Sequence, residues 1–318
     1  MRNLDFEMTY DELQQQLTWQ PQVVGRLSAP RARVIVGGMG GSALPAHALR
    51  FLDPAFAIET HRDYDLPENA GPDALYVAIS YSGNTVETLS FAHAAHELGY
   101  AVAVISDEGG ALDRFAKDKG IPHVLVPAGI QPRDALFYLL HALVRLLERN
   151  DIAEQLRSVS FDAHTAERDA HSLSQTLADA FPVFYASRRN GFLAYAAKIQ
   201  MNETGKMPAA ANVFPELNHN EMQSYDTAAP EALGWLARFV LVSDQSDDPR
   251  VSQRMALFTR LMSERSRVVA NLPLGQGSRA EQLATGWYVT HLAAHALARA
   301  RSIDPDRVPL IEQFKAQL

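Results

Sequence analysis

The chain has 318 residues, enough for about two domains with buried cores, and its 47% hydrophobic and 21% charged residues are typical of a globular protein. Its 37 acidic residues outnumber the 29 basic ones, so a net charge of −8 excludes a general attraction for nucleic-acid phosphates. The absence of cysteine excludes disulfides, thiol nucleophiles and cysteine zinc ligands.

Short apolar runs alternate with amphipathic stretches between residues 31 and 126. The runs are four to five residues long, rich in β-branched side chains and bounded by Gly, Pro or Asp, which predicts buried strands. They cover residues 33–36, 57–60, 75–79, 101–105 and 123–126. Helical spacing over residues 42–52, 85–98 and 111–119 separates them, and this alternation predicts a parallel sheet with helical crossovers.

The same pattern returns in the second half of the chain. Long helices are expected over residues 133–148 and 152–180, followed by strands at 182–186, 238–243 and 267–271 and helices at 192–204, 250–262 and 279–301. Residues 76–88 and 240–253 each read as a strand, a polar turn and a helix start. The sequence therefore predicts an α/β protein of two related domains, each a mainly parallel sheet flanked by helices.

Two polar turns in the first half are candidate anion sites. Residues 37–42 (GGMGGS) follow a strand and open a helix, where glycines permit close approach and the helix N-terminus offers unpaired N–H groups. Residues 80–85 (SYSGNT) repeat this placement with three hydroxyls around a glycine. A tight turn and simple helix capping are the structural alternatives. The glycine spacing is not G-x-G-x-x-G and there is no Walker motif, so a sugar phosphate is favoured over a nucleotide.

Both turns resemble the signature turns of the sugar isomerase (SIS) domain, which binds phosphosugars. Residues 201–221 (MNETGKMPAAANVFPELNHNE) resemble the catalytic segment of the bifunctional phosphoglucose/phosphomannose isomerases, and residues 131–138 and 303–315 resemble two further segments of that family. The resemblance implies an N-terminal SIS domain with the phosphosugar-binding turns at residues 1–150. It also implies a C-terminal SIS-like domain with the catalytic Glu/His segment at residues 151–318.

The resemblance assigns roles to single residues. It implies that Glu203 moves the proton through an enediol and that His219, supplied by the neighbouring subunit of a homodimer, opens the sugar ring. Arg133 would stabilise the enediolate and Lys315 would assist near the ring oxygen. The substrate phosphate is expected to bind at the following residues of the two turns: Gly41, Ser42, Ser80, Ser82 and Thr85.

Each of these residues also has a purely structural interpretation. Glu203 can end a helix or pair with Lys206, and His219 can be held by hydrogen bonds within a loop. Arg133 can pair with Asp134 at a helix end on the surface, and Lys315 can complement a helix dipole.

No metal or cofactor is expected. His291 and His295 can share a helix face, but no third ligand of defined spacing and no H-E-x-x-H motif accompanies them. An aldose–ketose isomerisation needs neither when a base and a cation are present. With no signal-peptide pattern in residues 1–10 and no run of 18 apolar residues, we expect a cytoplasmic protein that binds neither a membrane nor nucleic acid.

The implied reaction is the interconversion of glucose 6-phosphate with fructose 6-phosphate. Mannose 6-phosphate is left open, because Asp306 and Arg307 stand where the family often has Thr-Pro, and that threonine is associated with accepting mannose. The alternative is a non-catalytic phosphosugar sensor, since SIS domains also serve in regulators. Amino-sugar synthesis would need an ammonia source, and the chain lacks a glutaminase domain with its cysteine.

Overall fold

The computed structural model describes residues 8–27, 33–226, 233–315 and 317. Its chain forms two compact units, Met8–Val159 and a second that begins at Ser160. Within these described ranges, no helix is both long and apolar enough to cross a membrane.

The first unit is built on a six-stranded sheet in the order β1-β6-β5-β4-β2-β3. All neighbouring strands are parallel except the short β1, which is antiparallel to β6. The strands are β1 (Val23–Val24), β2 (Arg33–Gly37), β3 (Ile58–His61), β4 (Ala74–Ser80), β5 (Ala101–Ser106) and β6 (His123–Leu125). The helices are α1 (Tyr10–Thr18), α2 (Leu44–Leu52), α3 (Val86–Glu97), α4 (Ala111–Lys119), α5 (Leu136–Leu146) and α6 (Asn150–Arg157).

The second unit contains a four-stranded parallel sheet in the order β10-β9-β7-β8. Its strands are β7 (Phe181–Ser187), β8 (Ala210–Phe214), β9 (Ala237–Ser243) and β10 (Val268–Pro273). Its helices are α7 (Ala163–Leu177), α8 (Gly191–Glu203), α9 (Pro249–Glu264), α10 (Arg279–Ala300) and α11 (Pro309–Lys315). The order β8-β7-β9-β10 repeats the order β3-β2-β4-β5 of the first unit, so the two sheets share one topology.

The predicted α/β class with mainly parallel sheets is confirmed. The strands could be predicted because their residues are buried and therefore apolar. All seven residues of β4 are buried, as expected of a central strand covered by helices on both faces. The large side chains packed on this strand include Phe91 and Phe115, and the second sheet has a matching aromatic core around Phe239 and Phe258.

The helix predicted over residues 152–180 and the absence of strand β8 from the prediction need correction. The single helix expected over residues 152–180 is two helices, α6 and α7, because Asp162 caps a new helix by accepting a hydrogen bond from the His164 N–H at 3.1 Å. Strand β8 was not predicted, since only Phe214 of its five residues is fully buried and its sequence AANVF shows neither an apolar run nor alternation. It is an edge strand whose pairing with β7 is decided by the rest of the sheet.

Helix α5 contains a buried histidine, from which we expect the first unit to be sensitive to acid. His141 is 1% exposed, and its Nε2–H donates to the Leu17 carbonyl at 2.7 Å. Burial lowers the pKa of His141 to about 4, although the Leu17 carbonyl favours the protonated ring. An unfolded histidine titrates near pH 6.5, so the unfolded chain binds the proton first as the pH falls, and acid destabilises the fold.

We therefore expect the His141→Gln variant to lose part of the pH dependence of folding. Glutamine keeps an N–H for Leu17 but does not titrate, so the fall in unfolding free energy between pH 7 and 5 should shrink by about 2 kcal/mol. Urea unfolding at both pH values measures this difference. The matched control is His164→Gln, whose side chain is 89% exposed. An unchanged pH dependence in His141→Gln would refute the assignment.

Candidate active site

The first glycine-rich turn joins β2 to α2 and is packed too tightly for a side chain. Gly40 has a positive φ of 51°, and the 3₁₀ turn Gly40–Ala43 leads into α2. A Cβ on Gly41 would lie 2.7 Å from the carbonyl carbon and oxygen of Pro132 and 2.8 Å from the Arg133 nitrogen. Glycine at position 41 is therefore what allows the segment before α5 to approach the turn.

The second turn joins β4 to α3 and is held by its own hydroxyls. Ser80 is 1% exposed, and its hydroxyl donates to the Thr85 hydroxyl at 2.9 Å. Thr85 precedes the first residue of α3 and makes no side-chain capping bond to the helix. Ser82 is exposed, and its Oγ accepts from the Asn84 N–H at 3.4 Å. Simple capping therefore does not explain the threonine.

The structure brings these two turns together through Ser42. The Ser42 Oγ accepts a hydrogen bond from the Tyr81 N–H at 3.1 Å, in a buried position. This contact follows from the topology, since β2 and β4 are parallel neighbours whose carboxyl ends lie at the same sheet edge. Ser42 and Thr85 both accept within the turns, so each keeps a hydroxyl proton that can be donated to an anion.

Asn84 is a supporting residue that sequence reasoning missed. Its Nδ2 donates to the Ser82 carbonyl at 2.8 Å, and its Oδ1 accepts from the Ala111 N–H at 3.1 Å. Gly83 has a φ of 66°, and a Cβ there would lie 2.9 Å from the Gly110 Cα. The second turn is thus fastened to the start of α4. In the sequence, the pair Gly109-Gly110 after β5 indicates this contact, because adjacent glycines allow another backbone segment to approach closely.

Arg133 lies in the 3₁₀ turn Pro132–Asp134, beside the first glycine-rich turn. It is 2% exposed, and its Nε lies 4.0 Å from the Asp134 Oδ2. The alternative interpretation placed an Arg133–Asp134 pair on the surface at a helix end. It is wrong about the surface, since both side chains are buried. A buried guanidinium next to the glycine-rich turn can stabilise negative charge more strongly than a surface one can.

In the second unit, Glu203 is the last residue of α8 and lines a cavity of about 800 Å³. Asn202, Lys206, Asp304 and Arg307 supply its other polar walls. The remaining lining residues are apolar: Met207, Pro208, Ile303, Val308, Pro309, Leu310 and Ile311. A carboxylate on the wall of a cavity can take a proton from a bound substrate and return it, which is the role of a general base.

Two cations fix the end of the helix that carries Glu203. The Lys206 Nζ donates to the main-chain carbonyl of Glu203 and, at 2.6 Å, to the Arg307 carbonyl. Arg301 donates through Nη2 to the Gly205 carbonyl. The last carbonyls of a helix lack partners within the helix and carry partial negative charge, so these cations stabilise the end of α8. Sequence reasoning considered Lys206 only as a partner of Glu203 and missed its role as a clamp.

The other two predicted catalytic residues lie elsewhere in the second unit. His219 is exposed at the end of the 3₁₀ turn Glu216–His219, and Lys315 is exposed at the end of α11. Among the described residues of this unit, those lining the cavity with Glu203 include neither of them. The structure thus places Glu203 in a cavity and the candidate ring-opening histidine on a surface loop.

In the second unit, the turn after β9 corresponds to the serine-rich turn and carries two carboxylates that contact the turn after β7. The Asp244 carboxylate accepts from Arg189 Nε and Arg279 Nη1, each at 3.3 Å. Asp247 accepts from Asn190 Nδ2 at 3.0 Å. Burial opposes ionisation of Asp244, but the Ser246 N–H, Arg189, Gln282 and Arg279 outweigh it and lower its pKa. The chain supplies its own anion here, so this position does not offer a second phosphate site.

The part of the chain that the structure describes contains no group of three His, Asp or Glu side chains placed to hold a metal ion. The buried pair His291 and His295, with ring centroids 4.4 Å apart, packs against Trp287 in α10. These histidines belong to the core of the second unit.

Comparison with known proteins points to one family. Residues 166–318 match the family described as the bacterial phospho-glucose isomerase C-terminal SIS domain. A bifunctional phosphoglucose/phosphomannose isomerase of Thermoplasma volcanium is 31% identical over 297 residues, which cover 90% of this chain and 91% of that protein. One from Aquifex aeolicus is 29% identical over 95% of each chain. A D-glucosamine-6-phosphate 4-epimerase of Sulfolobus acidocaldarius is 30% identical over 68% of this chain and 70% of that protein.

Solved structures with the same fold share less sequence. A hypothetical protein from Thermus thermophilus superimposes with a TM-score of 0.69 at 20% identity, covering 90% of this chain and 83% of its own. The tagatose-6-phosphate ketose/aldose isomerase of Escherichia coli gives 0.66 at 17% identity, covering 86% and 83%. At such identities the likeness shows the fold alone.

Proposed function

Because the chain belongs to the bifunctional phosphoglucose/phosphomannose isomerase family, we propose that this sugar-phosphate isomerase interconverts glucose 6-phosphate and fructose 6-phosphate through an enediol. The observation that carries the proposal is the position of Glu203 on the wall of a cavity of about 800 Å³, at the end of a clamped helix. A cavity of this volume is in the range of small-molecule binding sites.

Glu203 takes the proton from C2 of the aldose and returns it to C1, so that one carboxylate serves both half-reactions. The negative charge that develops on the substrate oxygens is stabilised by Arg133. His219 moves a proton on the ring oxygen and opens the pyranose. Its exposure supports a site completed by a second copy of the chain, as in a homodimer. Lys315 is proposed to assist the same step.

The phosphate group binds to the two turns of the first unit. The hydroxyls of Ser42, Ser82 and Thr85 donate to phosphate oxygens together with main-chain N–H groups near Gly41, at the N-termini of α2 and α3. Ser80 holds Thr85 in place through the hydrogen bond between their hydroxyls.

Two further substrates are candidates. Mannose 6-phosphate is a candidate because the relatives are named phosphomannose isomerases. In this chain Asp306 stands where the family often has the threonine that is associated with accepting mannose. The Asp306 N–H donates to the Asp304 Oδ1 at 2.9 Å, and Asp304 lines the cavity with Glu203. Glucosamine 6-phosphate is suggested by the relative from Sulfolobus acidocaldarius, which is named a 4-epimerase of that sugar phosphate.

The proposal is tested by proton NMR of the purified protein with fructose 6-phosphate in heavy water. We expect glucose 6-phosphate labelled with deuterium at C2, and a mannose 6-phosphate signal reports tolerance of the epimer. A parallel sample with glucosamine 6-phosphate tests C4 epimerisation. Binding of fructose 6-phosphate without product or label exchange would contradict the proposal and favour a phosphosugar sensor.

A further inference from the structure

The loop that carries His219 is fastened to the second unit by a partly buried cluster of polar side chains around Glu221. The Glu221 Oε1 accepts from the Tyr185 hydroxyl at 2.7 Å and from the Tyr225 hydroxyl at 3.3 Å. The Glu221 Oε2 accepts from the Asn212 Nδ2 at 2.6 Å. Three donors from β7, β8 and the end of the loop therefore converge on one carboxylate.

The donors of this cluster are rigid. Tyr185 is fully buried in the centre of β7, with its ring 5.7 Å from that of Phe239, and Tyr225 is 7% exposed. Burial raises the pKa of both phenols, so they remain neutral donors. The Asn212 Oδ1 accepts from the Val213 N–H at 2.8 Å, which fixes the amide with its NH₂ group towards Glu221.

His219 lies between two anchors in this loop. On one side Leu217 is fully buried in the aromatic core of the sheet, and on the other side Glu221 is held by the three donors. His219 and Asn220 project between these anchors and are both exposed. The position of the imidazole is therefore set by the anchors and not by packing of its own ring.

We propose that Glu221 is a positioning residue for His219: its contacts to Tyr185, Tyr225 and Asn212 hold the loop so that the imidazole can open the sugar ring. The inference rests on the ring-opening role of His219 in the proposed function. Glu221 itself does not touch substrate in this assignment. Replacing its carboxylate by an amide keeps the length of the loop and the size of the side chain. It removes the negative charge that makes the carboxylate a strong hydrogen-bond acceptor.

Glu221→Gln tests the inference, since the amide can satisfy either the phenols or Asn212 but cannot accept from all three groups. Ring opening is isolated in a Glu203→Gln background, where the α and β anomers of glucose 6-phosphate can still be interconverted without proton transfer at C2. We expect added Glu221→Gln to slow anomer interconversion, followed by exchange NMR, about 10- to 100-fold, as for a misplaced reacting group. Added Tyr185→Phe should slow it less, and the two changes together should do no more than Glu221→Gln alone.

The binding stoichiometry of glucose 6-phosphate, measured by calorimetry, separates positioning from loss of folded protein. If Glu221 positions His219, its replacement leaves one sugar phosphate bound per chain and lowers only the rate of anomer interconversion. If Glu221 has a merely structural role, its replacement lowers the number bound per chain and the rate in proportion, which overturns the inference. Glu216→Gln is the matched control, because Glu216 lies exposed in the same loop and glutamine can keep the hydrogen bond that the Glu216 Oε1 accepts from the Asn220 Nδ2. If adding Glu221→Gln to the Glu203→Gln protein leaves the rate of anomer interconversion unchanged, the inference is overturned. An equal loss on adding Glu216→Gln instead also overturns it.

Failure of the proposed function gives a different result. If the wild type does not isomerise fructose 6-phosphate, both the proposed function and this inference are refuted. If the wild type isomerises but the Glu203→Gln protein does not interconvert anomers above the uncatalysed rate, ring opening by His219 is refuted. The inference then falls while isomerisation stands.

Discussion

Replacing Glu203 by Gln is expected to lower kcat by at least about 10³-fold, in the upper range of what a positioned base contributes. The change is nearly isosteric and spares the clamp, because Lys206 binds the main-chain carbonyl of Glu203. Binding of the sugar phosphate should therefore change little, since the phosphate is assigned to the two polar turns after β2 and β4. Steady-state kinetics and calorimetric binding of fructose 6-phosphate measure the two quantities.

Asp304→Asn is the matched control for that experiment. Asp304 lines the same cavity, and its Oδ1 accepts from the Asp306 N–H, a contact that asparagine can keep. We expect its kcat to stay within about threefold of the wild type, as no proton-transfer role is assigned to it. A Glu203→Gln protein with more than a tenth of the wild-type rate would contradict the mechanism. An equal loss of kcat in Asp304→Asn would assign the role of general base to Asp304.

Gly41→Ala is expected to disrupt phosphate binding by the first turn. The added Cβ would lie 2.7 Å from the Pro132 carbonyl, which is backbone and cannot rotate away. Either the turn or the segment 132–133 must move, at a cost of about 1–3 kcal/mol in unfolding free energy. Because Arg133 is in that segment and Ser42 follows the glycine, we expect KM for fructose 6-phosphate to rise about tenfold or more.

Urea unfolding and steady-state kinetics check the glycine prediction. The control is Gly71→Ala, where the nearest atom to the added Cβ is the Asp73 Oδ1 at 2.8 Å, the end of a side chain that can rotate. That variant should keep its stability within about 1 kcal/mol and its KM unchanged. The assignment of the first turn to phosphate binding fails if Gly41→Ala is destabilised but binds fructose 6-phosphate as well as the wild type does.

The comparisons and the structure agree on what kind of protein this is but leave its residues' roles as predictions. Family membership is confirmed by relatives that cover nearly the whole chain at about 30% identity. The 4-epimerase among the relatives shows that similar chains are named for different reactions of sugar phosphates. The roles of Glu203, His219, Arg133 and Lys315 and of the phosphate turns stay predictions until the variants are measured.

The central strands and their helices could be read from the amino-acid sequence by itself, because a buried parallel strand needs an almost continuous run of apolar, β-branched residues. Strand β4 is such a run, and the turn after it carries its hydroxyls and its glycine in one uninterrupted segment. Local composition is enough for such features. The Glu203 and His219 assignments also came from the sequence, but only through resemblance to a family.

Tertiary structure decided the features that depend on residues far apart in the chain. The hydrogen bond from Tyr81 to Ser42, the clamp from Lys206 to Arg307 and the donors converging on Glu221 each join segments that no local pattern connects. Strand β8 belongs to the same group, because an edge strand owes its conformation to pairing with β7. Propensity and periodicity act over a few neighbouring residues, whereas hydrogen bonds and packing across a sheet exist only once the chain has folded.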